Sequence, residues 1–284
     1  MYGKPQNSIL QGYGVIDLAG AVGKLCVKTL AGMGAQVARI NPENEPVRFT
    51  GLVKKADILI ESFTPGYLSS LGLGYQKLSK VNPRLIMASI TPFGQTGPYK
   101  DFKASDFTLQ ALGGWLSVTG ERQQPLKLYG DQAYHTASLF AANAVLLALW
   151  DRHETGRGQY IDISILECVA ATLDHTLVRY FFEGIVSGRQ GGRHWNNAFD
   201  ILPCADGYIL ISIQRQWETL VELMAAEGVA EDLIDARWQD REARNRGIGH
   251  IIEVMQRWTL KHRAGELEEL GQAMHFPWAA VKNG

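Results

Sequence analysis

The 284-residue sequence predicts an α/β protein with a Rossmann-like large domain, built on an open and mostly parallel sheet, and a smaller α+β domain after it. Three observations lead there. Short apolar runs alternate with helix-patterned segments over the first 165 residues, as in strand-helix-strand units. A long stretch without Gly or Pro, residues 133–154, precedes one more apolar run at 161–165. A glycine-rich segment near residue 190 then gives way to a hairpin pattern and a helical tail, which divides the chain into 1–190 and 191–284.

Taken in order, residues 13–18 (YGVIDL) read as a strand, 22–33 as a helix and 35–40 (AQVARI) as a second strand. The connection AGAVG, residues 19–23, lacks the GxGxxG spacing of a dinucleotide site. Residues 40–49 (INPENEPVRF) read as a polar loop, and 53–61 as a helix end followed by a buried strand. The turn Ser62-Phe63-Thr64-Pro65-Gly66 follows, with Pro65 setting φ and Gly66 free to bend. Ser62 and Phe63 thus stand at the carboxyl end of a strand, where open α/β sheets bind ligands, although Phe63 reads equally well as core. An amphipathic helix over 75–82, a strand over 85–90 and a Gly/Pro loop over 91–99 come next. Beyond them Lys103 is either a solvated loop lysine or a point charge suited to a phosphate, and a helix runs from Asp106 to Ala111.

The most informative stretch runs from Leu126 to Leu166. Ala137, Leu139, Phe140, Ala144, Leu147 and Ala148 recur at helical spacing and predict a buried helix with a broad apolar face. Asp131 stands at its start, and Asp151, Arg152, His153 and Gly156 at its end. An aspartate there is ordinarily an N-cap. Gly130 adds a second reading, because a neighbour without a side chain lets a substrate approach, and a charged carboxylate at a helix N-terminus can attack an activated acyl group. His135, one turn further on, reads as a hydrogen-bonding residue first and an acid/base group second.

Gly130-Asp131, the small and apolar helix, and the run DRHETGRGQYID at 151–162 resemble the signature of the class III coenzyme A transferases, the CaiB/BaiF group that includes formyl-CoA and carnitine-CoA transferases. The segments ESFTPG at 61–66, LGL at 71–73 and TPFGQTGPY at 91–99 are similar to further family motifs. The resemblance implies transfer of CoA between carboxylic acids, with Asp131 as the nucleophile that becomes an aspartyl-CoA thioester. It implies CoA contacts from Ala21, Val22 and Gly23, from Ser62 and Phe63, and from Lys103 and Gly130. Acyl-CoA is then a substrate, with no metal or tightly bound cofactor. The expected partners are an acyl-CoA donor, a carboxylic-acid acceptor and a second subunit, as a homodimer or a heteromer. Sister α-methylacyl-CoA racemases place a histidine where this chain has Ser105, which argues against two-base proton transfer.

Residues 166–182 predict another helix, and the loop around Gly191 and Gly192 sits where some family members carry a glycine lid. The hairpin at 199–211 is expected to turn at Asp206-Gly207, and helices follow at 217–226, 232–238, 248–262 and 264–274 before a closing strand at 276–281. Relative to the family pattern, an insert between residues 41 and 52 and a C-terminal return segment are expected to be missing. That motivates the alternative of a shortened subunit that is inactive or works only with a partner.

Composition bounds the remaining choices. A net charge of −1, from 28 basic and 29 acidic residues, provides no global field for nucleic acid or an anionic membrane. Cys26, Cys168 and Cys204 lack the spacing of a disulfide framework or a zinc site. No leader pattern is read at the start, and the apolar run at 133–150 reads as too short to cross a bilayer, so a soluble cytoplasmic protein is expected.

Overall fold

A computed structural model describes residues 8–282; the leader reading of residues 1–7 and the chain's last two residues lie outside the described residues. The chain divides into two compact units, Met1–Val118 with Leu126–Val186, and Thr119–Pro125 with Ser187–Gly284. The division therefore falls a few residues before the expected 190/191, and a short earlier loop joins the second unit. Backbone bonding explains this: Gly191 N–H donates to the Gly120 carbonyl, and the Arg189 guanidinium to the carbonyls of Glu121 and Arg122.

In the first unit the order is β1 (Gly14–Leu18), a 3₁₀ turn (Ala21–Gly23), α1 (Lys24–Gly32), β2 (Gln36–Arg39), α2 (Pro46–Val53), β3 (Ile58–Glu61), α3 (Tyr67–Ser70), α4 (Tyr75–Val81) and β4 (Ile86–Thr91). Then come α5 (Asp106–Leu112), α6 (Trp115–Val118), α7 (Gln132–Thr155), β5 (Tyr160–Ser164), α8 (Ile165–Ala171) and α9 (Asp174–Glu183). The five strands form one parallel sheet in the order β2-β1-β3-β4-β5. Strands β3 and β4 are buried throughout, which is why they read as continuous apolar runs. The connections leave β1 and β3 in opposite directions, so the crevice beyond their carboxyl ends is the switch point of the sheet.

Three expectations change. The loop read at 40–49 contains the first turn of α2, with Pro46 at the first helical positions, where its missing N–H costs nothing, and Phe49 fully buried. The helix expected over 166–182 is two helices, broken near Thr172, whose hydroxyl donates to the Val169 carbonyl and accepts from Trp115 Nε1. The apolar face assigned to α7 is only in part the one it buries: Ala137 and Ala148 are buried, Leu139, Phe140 and Leu147 are not. Ala133, Ala137, Ala141, Val145 and Ala148 face the core, whereas Leu139, Phe140, Leu147 and Trp150 are exposed. Alanines allow the close approach to the sheet and α1, so the bulky residues are left on the outer side. By length and composition α7 is also sufficient to cross a membrane, contrary to the expectation, yet here much of it is buried inside the unit.

Helix α7 runs antiparallel to the strands. Near its C-terminus buried Arg152 donates to Asp57 Oδ1 at 2.8 Å and to the Arg84 carbonyl at 2.7 Å, both at the amino edge of the sheet. The other Asp57 oxygen accepts from Gly14 N–H at 2.8 Å, so one carboxylate ties α7 to the starts of β1 and β3. Nearer its N-terminus Ser138 Oγ donates to the Val22 carbonyl at 2.9 Å, beyond the carboxyl end of β1. The helix start therefore lies on the ligand-binding side.

The second unit contains the antiparallel hairpin β6 (Phe199–Cys204) and β7 (Gly207–Ser212), then α10 (Trp217–Ala226), α11 (Arg241–Arg246), α12 (Ile248–Thr259), α13 (Ala264–Ala273) and β8 (Ala279–Ala280) against β7. Its core is built on Trp217, Trp258, Trp278 and Phe276. The hairpin turns at Ala205-Asp206, because Gly207 already pairs with Cys204. The helix expected at 232–238 is a pair of 3₁₀ turns, α11 was not foreseen, and the closing strand shrinks to two residues.

The Arg152–Asp57 pair yields a stability prediction. Arg152→Ala leaves Asp57 without its charge partner and is expected to destabilise the protein by about 3 kcal/mol, read as a lower denaturant midpoint. A midpoint within error of the unsubstituted protein would show that the pair does not anchor α7.

Candidate active site

Asp131 occupies the N-cap position of α7, is exposed, and does not cap the helix with its side chain. The capping bonds come from elsewhere. Asp106 Oδ1, on the first turn of α5, accepts from Ala133 N–H at 2.8 Å and Tyr134 N–H at 3.2 Å. These are the two donors that an N-cap side chain normally takes. Asp106 is 5% exposed, and its second oxygen accepts from Gln110 Nε2 at 2.6 Å and lies 3.6 Å from Lys127 Nζ. Lys127 also donates to the carbonyls of Leu128 and Gly130, and Gln110 Oε1 accepts from Leu128 N–H at 3.0 Å. Gly130 has φ +74°, a left-handed conformation that a side chain would strain, so glycine is needed for the approach to Asp131 as well as for access. The result is a carboxylate at the positive end of a 24-residue helix, with none of its hydrogen-bonding capacity spent on that helix. His135 is exposed, and Ser105 caps α5 by accepting from Thr108 N–H.

At the switch point lies a cavity of about 520 Å³, lined among others by Asp17, Gly20, Arg39, Asn41, Ser62 and Phe63. Of the contacts expected there, Ser62 and Phe63 face this cavity; Ser62 Oγ also accepts from Gly20 N–H at 2.9 Å, and the Phe63 ring packs on Tyr67. Gly23 is buried, and a Cβ on it would come within 2.6 Å of Ala19 Cβ, so this glycine serves close packing of the turn on the sheet. Val22 is half-buried with its carbonyl engaged by Ser138, Ala21 is exposed, and neither lines the cavity. The first turn contributes through Ala19 and Gly20 instead. Lys103 is exposed in its loop. Arg39, at the end of β2, was not singled out from the sequence; its exposed guanidinium is the cationic group on the cavity rim, 4.0 Å from Asp17.

A second cavity of about 470 Å³ lies alongside the sheet, between α3 and α4 and the strands β3, β4 and β5, with Glu61, Tyr67, Tyr75, Met87, Gln95 and Tyr160 among its walls. Burial pushes the Glu61 carboxyl above the ordinary range; hydrogen bonds from Ser89 and from the Phe63 N–H oppose the rise, and Asp162 adds to it. Tyr160 donates to Ser89 Oγ at 2.9 Å, continuing that polar chain to the cavity wall. The three cysteines are buried and free; burial raises the Cys26 thiol to about 12 and the Cys168 thiol to about 11, which leaves both un-ionised near neutral pH. Among the described residues no three His, Cys, Asp or Glu side chains cluster as metal ligands would.

Residues 42–284 match the family described as CoA-transferase family III. The chain belongs to that family. It is 32% identical to the succinyl-CoA:(R)-benzylsuccinate CoA-transferase subunit BbsE of Thauera aromatica, over 95% of this chain and 78% of the relative. That alignment extends over 321 residues, more than the 284 present here, so the relative carries additional chain inside the matched region. A succinate–glutarate CoA-transferase of Agrobacterium fabrum is 34% identical over 72% of this chain, which spans 51% of that protein's length. Among solved structures, a CaiB/BaiF family protein from Brucella suis superposes with a TM-score of 0.85 at 26% identity, covering 98% of this chain and 85% of the other. Within this class III CoA-transferase, the groups that sequence reasoning missed are Arg39 and the Asp106, Gln110 and Lys127 network. Only the position of Asp106 at a helix start gave any signal of it.

Glu61 supplies a pH prediction. Because its folded-state carboxyl is raised, the folded protein keeps a proton that the unfolded chain releases above pH about 4.3, and the associated stability is lost as pH rises. Glu61→Gln keeps an acceptor for Phe63 N–H without the buried charge. Its unfolding free energy relative to the unsubstituted protein is expected to increase from pH 4 to pH 7, and a pH-independent difference would contradict this account.

Proposed function

We propose that this chain transfers CoA between two carboxylic acids through a thioester formed on Asp131. The observation that carries the reading is the uncapped carboxylate of Asp131 at the start of α7, on the ligand side of the sheet. An Asp131 oxygen attacks the thioester carbonyl of the donor, giving an acyl-aspartyl anhydride and CoA thiolate. The thiolate attacks the aspartyl carbonyl, releasing the donor as a free carboxylate and leaving aspartyl-CoA. The acceptor carboxylate then attacks that thioester to give a second anhydride and free thiolate. The thiolate finally takes the acceptor's acyl group and restores the aspartate. Each step exchanges one acyl bond for another, so no oxidant or external proton is consumed.

The switch-point cavity suits the nucleotide end of CoA, with Arg39 as the cation for a phosphate and Phe63 as an apolar wall. Ser138, which touches the turn after β1, lies seven residues from Asp131, about 10 Å along the helix axis, a span that the flexible arm of CoA can bridge. The donor named for the Thauera aromatica relative makes succinyl-CoA the first donor to test here. Proton transfer by a racemase-like pair is disfavoured, since Ser105 is committed to capping α5. Free, buried cysteines fit the reducing cytoplasm in which we place the protein.

Incubation with succinyl-CoA is expected to add a covalent CoA adduct that maps to Asp131 by mass spectrometry. Asp131→Ala should abolish the adduct and lower turnover by at least about a thousandfold. An adduct elsewhere, or turnover retained by Asp131→Ala, would refute the assignment.

We also propose that the protein works as a homodimer. Helix α9 buries none of its residues and exposes Leu177, Phe181 and Phe182, while α7 exposes Phe140, Leu147 and Trp150. So much exposed apolar surface is characteristic of a subunit interface. Light scattering is expected to give twice the chain mass of 31.4 kDa, and Phe182→Asp to shift the population towards monomer. A monomer at tens of micromolar for the unsubstituted protein would overturn this.

A further inference from the structure

We infer that Asp106 is a positioning residue for the acyl-transfer step: it caps α7 from α5 and so keeps the Asp131 carboxylate out of the helix's own hydrogen bonds. The inference rests on the reading of Asp131 as the nucleophile.

Two carboxylates compete for one pair of donors. Asp131 holds the N-cap position, whose side chain normally accepts from the second and third helical N–H groups. Those groups belong to Ala133 and Tyr134, and both donate to Asp106 Oδ1. Asp106 is fixed in that role because Gln110 and Lys127 hold its other oxygen. The same two side chains bind the backbone of Leu128 and Gly130, so the segment leading into Asp131 is set by the network that supplies the cap. Without Asp106 two helix donors would be left unpaired beside Asp131, the N-cap residue whose side chain ordinarily takes them. A carboxylate drawn into that bond commits a lone pair to the helix and turns away from the reacting geometry.

Single-turnover labelling with succinyl-CoA separates positioning from folding, because the end-point measures the competent fraction and the time course gives the rate per competent site. Asp106→Ala is expected to keep most of the end-point while the rate falls about ten- to a hundredfold. Asp106→Asn, which retains an acceptor at Oδ1, should recover most of that rate. A lower end-point with an unchanged rate would assign Asp106 a merely structural role and overturn the inference. Should Asp106→Ala fail to fold, amide resonances decide the matter: Ala133 and Tyr134 are expected to shift in Asp106→Asn and to stay in place in Asp131→Asn, and the reverse pattern overturns it. Absence of any adduct on the unsubstituted protein would instead remove the nucleophile reading, while the amide measurement would still report which aspartate caps the helix.

Discussion

Two carboxylates stand at the start of α7, and only one of them satisfies the helix. The first-turn N–H groups of a long helix carry concentrated positive potential and demand acceptors. Asp106, 5% exposed and fixed by Gln110 and Lys127, meets that demand from a neighbouring helix. Asp131 keeps the favourable field without making the bond. The acyl transfer proposed for Asp131 draws on this separation of roles, because a capping carboxylate is stabilised in the ground state and held against its own helix.

The separation works only because α7 is held along its whole length. At the amino edge of the sheet, Arg152 joins Asp57 and the Arg84 carbonyl, and Asp57 in turn takes the Gly14 N–H. In the middle an alanine-rich face lies close on the sheet and α1, and Ser138 fixes the helix to the turn after β1. The helix is thus a strut from one edge of the sheet to the other, with its Asp131 end on the side where parallel sheets receive ligands. The same economy leaves the large apolar residues of α7 facing outwards, next in character to an α9 that buries nothing.

The sheet carries two cavities of different chemistry, one beyond the carboxyl ends of β1, β2 and β3 and one alongside β4 and β5. The switch-point cavity carries Arg39 as its cation among the acids Asp17, Glu43 and Glu45, with Phe63 as an aromatic wall. The other is walled by tyrosines around Glu61, whose carboxyl is raised by burial and which holds the Phe63 backbone in place. Glu61 therefore shapes the first cavity from behind, since Phe63 follows it by two residues.

Much of this was legible in the residues themselves. Periodicity located every strand of the parallel sheet, the extent of α7 and the β6-β7 hairpin, because each of these is set by local pattern and short-range turn chemistry. The motif around Gly130-Asp131 pointed to the family that the comparisons show, and to a carboxylate preceded by a glycine in the left-handed region. What the residues could not disclose is which partners meet across distance. Asp106 lies 27 positions from Ala133, and nothing in either segment announces that a side chain from one helix caps another. The outward face of α7 was misread for a related reason: periodicity marks where apolar residues recur, whereas the fit of small alanines to the sheet decides which of them are buried. Gly23 has a packing role that its sequence context did not disclose, since a Cβ on it would meet Ala19. Local order follows from the chain's own sequence, but the freeing of Asp131 is a tertiary fact, since it needs a second acid brought in from elsewhere in the fold.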